Sequence, residues 1–193
     1  GKAVADFTYP TRLRNRNNQV ETNPLWLSIP AAGFSADNLI TANLESMLLP
    51  VAGAIETLPD SPYTVDPLVQ SSANNQMVDA SSHNMHVGAL RRDFKPSGIV
   101  RNLAVRISGT FTTAFPDGKP QTEPNTGEAA SETDAKDTSP PLKVATTASV
   151  IVVVADSDLL YDGYYVSQQN LLGYTISNIF NDNLNFVLNA SEM

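Results

Sequence analysis

The chain contains no cysteine in its 193 residues. That absence removes disulfides, thiolate metal centres and every cysteine nucleophile. It leaves the compartment open, because cysteine-free proteins occur on both sides of a membrane. Histidine occurs twice and tryptophan once. No apolar run approaches the ~20 residues that a helix needs to span a bilayer, and no signal peptide is visible. Gly-x-Gly-x-x-Gly, a phosphate loop and Gly-x-Ser-x-Gly are all missing. Nucleotide binding and a hydrolase nucleophile elbow therefore have no support, and isolated serines such as Ser71 and Ser72 supply none. Charge is sparse at 17%, and 12 cations face 20 carboxylates, for a net charge of −8 and a pI near 4.6. Such a chain has no electrostatic reason to approach nucleic acid or an anionic lipid surface. Its cations cluster at Arg12, Arg14 and Arg16 and again at Arg91 and Arg92, and we read both groups as solvated faces.

Asn, Ser, Thr and Ala fill the space left by charge, a bias common in extracytoplasmic bacterial proteins. The hydrophobic content of 41% and the length suffice for one sizeable core. We therefore expect a single α/β domain over residues 1–193. The chain starts at Gly1-Lys-Ala-Val-Ala, nearly inside a strand pattern, and stops just after a helical stretch. We expect an excised piece of a larger protein, with targeting and anchoring segments outside it.

Strand patterns run over Lys2–Phe7, Leu25–Ile29, Tyr63–Ser72 and Leu103–Phe111, the last with Leu103, Val105 and Ile107 on one face. Thr11–Thr22 is polar, with a turn signal at Asn15–Asn18. Ser35 is placed to cap a short helix. Leu44–Ile55 is apolar but carries Pro50 and Gly53, which argues for a bent or edge strand. Ala73–Ser97 reads as loop with one short helix. Asp117–Ser139 holds no Val, Ile, Leu, Met or aromatic residue and cannot offset its ordering entropy. We expect a mobile polar excursion at about 117–140. The β-branched run Val150–Val154 reads as a strand buried on both faces, as at the centre of a parallel sheet. Helical patterns follow at Leu159, Leu160 and Tyr164, and at Leu172, Ile176, Ile179 and Phe180. Asn181–Asn183 breaks the period, and Phe186, Val187 and Ala190 restart it. The fold class is α/β: a mixed sheet, a buried central strand and C-terminal helices on one face.

Two places invite chemistry. Asp156-Ser-Asp158 follows the Val150–Val154 strand, at the sheet edge where α/β proteins place ligands. Two carboxylates there can hold Mg²⁺ for phosphoryl transfer; the plainer alternative is a helix start whose acids favour the dipole. Asp79, His83 and His86 have a spacing that stacks on a helix face and can bind a metal, although the segment has little helix propensity and solvated loop histidines are the ordinary outcome. Tyr161, Tyr164 and Tyr165 can form a sugar- or peptide-binding patch or simply pack. Asp156, Asp158, Tyr161 and Tyr164 are the candidate ligand contacts. No catalytic residue, metal site or cofactor is assigned.

Several stretches together carry a family resemblance. They are Trp26-Leu-Ser-Ile-Pro30, Thr41–Gly53, Leu68–Asn74, Leu103–Gly109, Phe115–Pro120, Val153–Leu160 and Asn181–Asn189. In this order they resemble the auxiliary component of an uncharacterised type of ABC transporter, a family that includes a gliding-motility protein. The resemblance implies a non-enzymatic extracytoplasmic domain on the periplasmic face of the inner membrane. It would be tethered by segments outside this chain and would act on transporter permease or ATPase subunits. It also implies a distant relation to an intraflagellar-transport domain with the fold of class I amidotransferases. The chain would then be the C-terminal portion of an amidotransferase-like (flavodoxin-like) domain. Amidotransferase catalysis requires the cysteine this chain lacks. A saccharide- or peptide-binding module is the alternative, and a Mg²⁺-dependent phosphohydrolase using Asp156 and Asp158 a further one.

Overall fold

The computed structural model describes residues 1–14, 18–81, 87–117, 142–171 and 173–192. It is a mixed α/β structure, mostly strand. The strands are β1 (Lys2–Asp6), β2 (Pro10–Arg14), β3 (Val20–Pro30), β4 (Ser46–Pro50), β5 (Thr64–Gln70), β6 (Asn75–Asp79), β7 (Asn102–Gly109), β8 (Ser149–Val154), β9 (Val166–Leu171) and β10 (Tyr174–Ile179). Helix α1 spans Val87–Asp93 and α2 spans Asn183–Ser191. Among the described residues the strands form four small sheets, β1-β6, β2-β3-β4, β5-β7-β8 and β9-β10.

Every described pairing is antiparallel. This corrects the expected parallel-type centre. β8 does form, but at the edge of its sheet, paired only with β7 from Ala104↔Val154 to Gly109↔Ser149. Val152 and Val154 pack toward the core, while Val150 and Ile151 remain 44% and 46% exposed. An unbroken β-branched run signals strand, but its neighbours decide burial, and here the central position goes to β7. A flavodoxin-like sheet is parallel with helices on both faces, and the described pairing gives that assignment no support.

The C-terminal region departs furthest from its helical pattern. Leu159–Tyr164 is a turn followed by one 3-10 turn at Asp162–Tyr164. Tyr174–Ile179 is a strand, reached through Gly173 at φ 86°, a conformation that suits glycine. The helical spacing of Ile176, Ile179 and Phe180 was outweighed by local β-propensity and this turn, and Leu172 lies outside the described residues. Only the last pattern is a helix: α2 buries Phe186 and leans Val187 and Ala190 on the core. Elsewhere the polar Thr11–Thr22 stretch supplies the paired residues Thr11–Arg14 of β2 and Val20–Thr22 of β3, with residues 15–17 outside the described residues. Ser35 caps no helix; its N–H donates to the Leu68 carbonyl. The stretch taken as loop holds β6 as well as the short helix α1. Leu44–Ile55 supplies the edge strand β4, which ends at Pro50. The expected polar excursion falls almost wholly on 118–141, outside the described residues.

The main core gathers residues distant in sequence, from Val4 through Leu27, Met47, Leu68 and Leu103 to Phe186. A smaller core of Ala3, Ala5 and Leu25 supports Trp26, Val51, Val78 and Ala80. Three consecutive residues stitch the sheets together. Val51 N–H donates to Leu25 of β3 at 2.7 Å, the Ala52 carbonyl accepts from Val4 of β1 at 2.8 Å, and Gly53 N–H donates to Ala155, just past β8, at 2.7 Å.

The outer edge of β4 is closed by side chains. Asn183 is fully buried; its Oδ1 accepts from Leu48 N–H at 2.9 Å, and its amide donates to the carbonyls of Leu48 at 2.8 Å and Leu159 at 2.9 Å. It stands where the backbone of another strand would stand. Asp182 continues the edge by accepting from Glu45 N–H at 2.8 Å and Ser46 N–H at 3.1 Å. Burial pushes its carboxyl up, but these bonds and one from the Asn185 amide outweigh it and hold the carboxyl below its usual range. Asn183→Ala strips three backbone groups of their partner at once and should destabilise the fold by about 3 kcal/mol in urea denaturation. Asn185→Ala, at an exposed side chain whose amide donates to Asp182, should cost less than about 1 kcal/mol.

Candidate functional site

The Gly53–Ala155 bond draws the exit of β4 against the exit of β8. On one side lie Trp26, Pro50 and Val51; on the other lies the Asp156–Tyr164 turn. Between them opens a cleft of about 480 Å³, lined by Trp26, Pro50, Val51, Ala80, Ser81, Asp158 and Tyr164. Tyr164 meets Trp26 edge-on, with ring centres 5.3 Å apart at 76°, and meets Tyr161 at 5.1 Å and 67°. Such pairs contribute about 1 kcal/mol beyond the area they bury. The Asn181 amide pins this turn through the Tyr164 carbonyl at 2.6 Å.

Of the four expected contacts, Asp158 and Tyr164 line the cleft. Tyr161 backs Tyr164 and is 64% exposed. Asp156 lies behind the turn. Its Oδ1 accepts the Asp158 N–H at 2.8 Å, and its Oδ2 is buried without a hydrogen-bond partner. The pair thus folds a tight polar turn, and no helix begins here, which corrects the expectation of a helix cap. Burial, and then the neighbouring charge of Asp158, push the Asp156 carboxyl up to about 6 against the Asp158 N–H bond that lowers it. Tyr164 is also raised, first by burial and then by the charges of Asp158 and Asp156. Among the described residues no group of three His, Cys, Asp or Glu side chains is placed to hold a metal ion.

Trp26 and Val51 were not anticipated. The single tryptophan of a polar chain was the available signal for the first. Nothing local signals the second. Val51 has φ 57°, a genuine outlier for a β-branched residue that costs about 1–3 kcal/mol. It is held there because residues 51–53 must serve three strands at once. Tyr165 turns elsewhere and donates its hydroxyl to Asp162 at 2.9 Å. Asp79 accepts from the Ser81 N–H at 2.9 Å, and His83 and His86 lie outside the described residues. Arg12 and Arg14 lie on β2 and Arg91 and Arg92 on α1; Arg16 is outside the described residues.

Asp156 is more acidic when unfolded, near pH 3.9, than when folded. Its ionised form therefore weakens the fold above about pH 6, and protonation relieves that cost as pH falls from 6 toward 4. Asp156→Asn should raise stability at pH 7.5 by about 1 kcal/mol, reduced from the full linkage value because the residue is partly solvated. It should also flatten the stability profile between pH 7 and 5, as read from thermal unfolding across that range.

A second groove of about 540 Å³ lies between the Ile55–Tyr63 segment and the face of β5 and β7 carrying Val65 and Ile107. A family model described as ABC-type uncharacterized transport system matches residues 2–190. No curated protein and no solved structure matches the chain. With 2–190 accounted for, cleft and polar turn included, the chain belongs to the family of ABC-type uncharacterized transport systems, as one of their auxiliary components.

Proposed function

We propose that this chain is a non-enzymatic, extracytoplasmic auxiliary domain of an ABC-type transporter or gliding or surface machine. It acts by contact with permease or ATPase subunits, from the periplasmic face of the inner membrane. Family membership supports the transport context. The absence of cysteine leaves no nucleophile for amidotransferase-type chemistry. The observation that carries the contact role is the β9–β10 ribbon. All six residues of β10 are exposed, and Tyr174, Ile176, Ile179 and the following Phe180 show 77%, 50%, 53% and 48% of their surface. A two-stranded ribbon is marginally stable alone in water, and exposed apolar residues gathered on one element favour a partner.

The cleft favours a second reading, a saccharide- or peptide-binding module. Trp26 and Tyr164, the latter backed by Tyr161, supply rigid aromatic surface beside the Asp158 carboxylate.

Affinity capture from membranes with the full-length protein separates these. Permease or ATPase subunits should co-purify, and Ile176→Asp combined with Tyr174→Ser should reduce their recovery at least fivefold without lowering the melting temperature. Recovery of neither subunit by the unmodified protein would overturn the contact role.

A further inference from the structure

We infer that the Trp26–Tyr164 cleft recognises a cationic nitrogen group, the ammonium or guanidinium of a small amine or of a basic peptide side chain. This deepens the second reading above and rests on it.

The walls are aromatic, and two of the rings stand close to perpendicular, with Trp26 and Tyr164 at 76°. Rings set this way form a corner. Each face carries the negative part of the ring quadrupole, which attracts a cation placed over it. Asp158 lines the same cleft and has no cationic partner among the described residues. The two described ion pairs, Arg101–Glu56 and Arg106–Asp66, lie elsewhere. No lysine or arginine is among the lining residues. The Asp158 and Asp156 charges are felt at the Tyr164 hydroxyl, so the negative field reaches the rings as well as the rim.

Hydrogen-bond supply favours the same ligand class. A saccharide hydroxyl is gripped by donors and acceptors together. Here the lining side chains offer three donors, the Trp26 indole N–H and the hydroxyls of Ser81 and Tyr164; Ser81 already donates to Asp79, and the Tyr164 hydroxyl accepts as well as donates. What remains is mostly carboxylate and π surface, which suits a donor-only group. The cleft volume of about 480 Å³ falls in the usual range for small-ligand sites. Val51, held in its left-handed conformation by the bond to Leu25, gives the cleft a fixed wall.

Trp26 is the sole tryptophan, so its fluorescence reports on this cleft alone. The full chain is titrated with choline, its neutral isostere 3,3-dimethylbutanol, Nα-acetyl-lysine amide, Nα-acetyl-arginine amide, the peptide Gly-Lys-Gly, and maltose. The cations should change Trp26 emission saturably, with the neutral isostere at least about tenfold weaker. Asp158→Asn should weaken the cations about fivefold and leave the isostere unchanged, and added salt should act in the same direction. Preference for Gly-Lys-Gly over the single residue amide would identify a peptide source; equal binding would identify a free amine. If 3,3-dimethylbutanol or maltose binds as tightly as the cations, or if Asp158→Asn leaves cation affinity unchanged, the charge recognition is wrong while the cleft stands as a ligand site. If no probe perturbs Trp26 although iodide quenches it, both are wrong.

Discussion

The structure depends on the Val51–Gly53 junction. Four small antiparallel sheets leave many strand edges, and backbone groups at those edges need partners once buried. Val51, Ala52 and Gly53 meet the need at the point where β1, β3 and the end of β8 converge. Serving three strands from three successive residues forces Val51 to φ 57°. The junction also sets the exits of β4 and β8 side by side, and the aromatic cleft is the space between those exits. Strain and site have one origin.

The polar composition is put to structural use. Asn183 closes the edge of β4. Asp6, fully buried, accepts from the N–H groups of Thr8, Tyr9 and Ser72 and from the Ser72 hydroxyl. Asn75 bonds Ser71, Ser72 and Ile99 through its amide, and its Oδ1 receives Arg101 and Ser97. Short side chains with both donors and acceptors finish small sheets that backbone alone would leave open. The Asn-, Ser- and Thr-rich sequence therefore reflects how the core is closed, independently of compartment.

The cleft and the β9–β10 ribbon are different kinds of surface. The cleft is built on the smaller core and closed by residues from distant strands. The ribbon is a local hairpin whose apolar side chains face outward. The contact role proposed above rests on the ribbon, and the proposed cation recognition on the cleft. Asn181 links the cleft to the edge of β4: its amide bonds Tyr164 at the cleft, and its Oδ1 accepts the N–H of Asn183, the side chain that closes β4.

Much of the fold was legible locally. Leu103–Phe111, Tyr63–Ser72 and Lys2–Phe7 alternate or cluster as strands do, Pro50 marks an edge, and Phe186, Val187 and Ala190 mark the last helix. The ordered motifs carried the family. The local pattern misled where two periods competed over a few residues, as at Leu172–Phe180, and where burial was inferred from composition, as at Val150–Val154. Periodicity reports what a segment buries if it is buried; which edge it pairs with is a long-range choice. Asp158 and Tyr164 were legible as candidates because they lie near each other in sequence. Trp26 and Val51 join them through long-range contacts such as the Gly53–Ala155 bond, between residues about a hundred positions apart. The sequence by itself determined strand-rich character, acidity, the lack of thiol chemistry and the lineage. Tertiary structure decided that β8 lies at an edge, that one Asp156 oxygen is buried without a partner, and that two aromatic rings and a carboxylate share one cleft, because each depends on contacts between segments far apart along the chain.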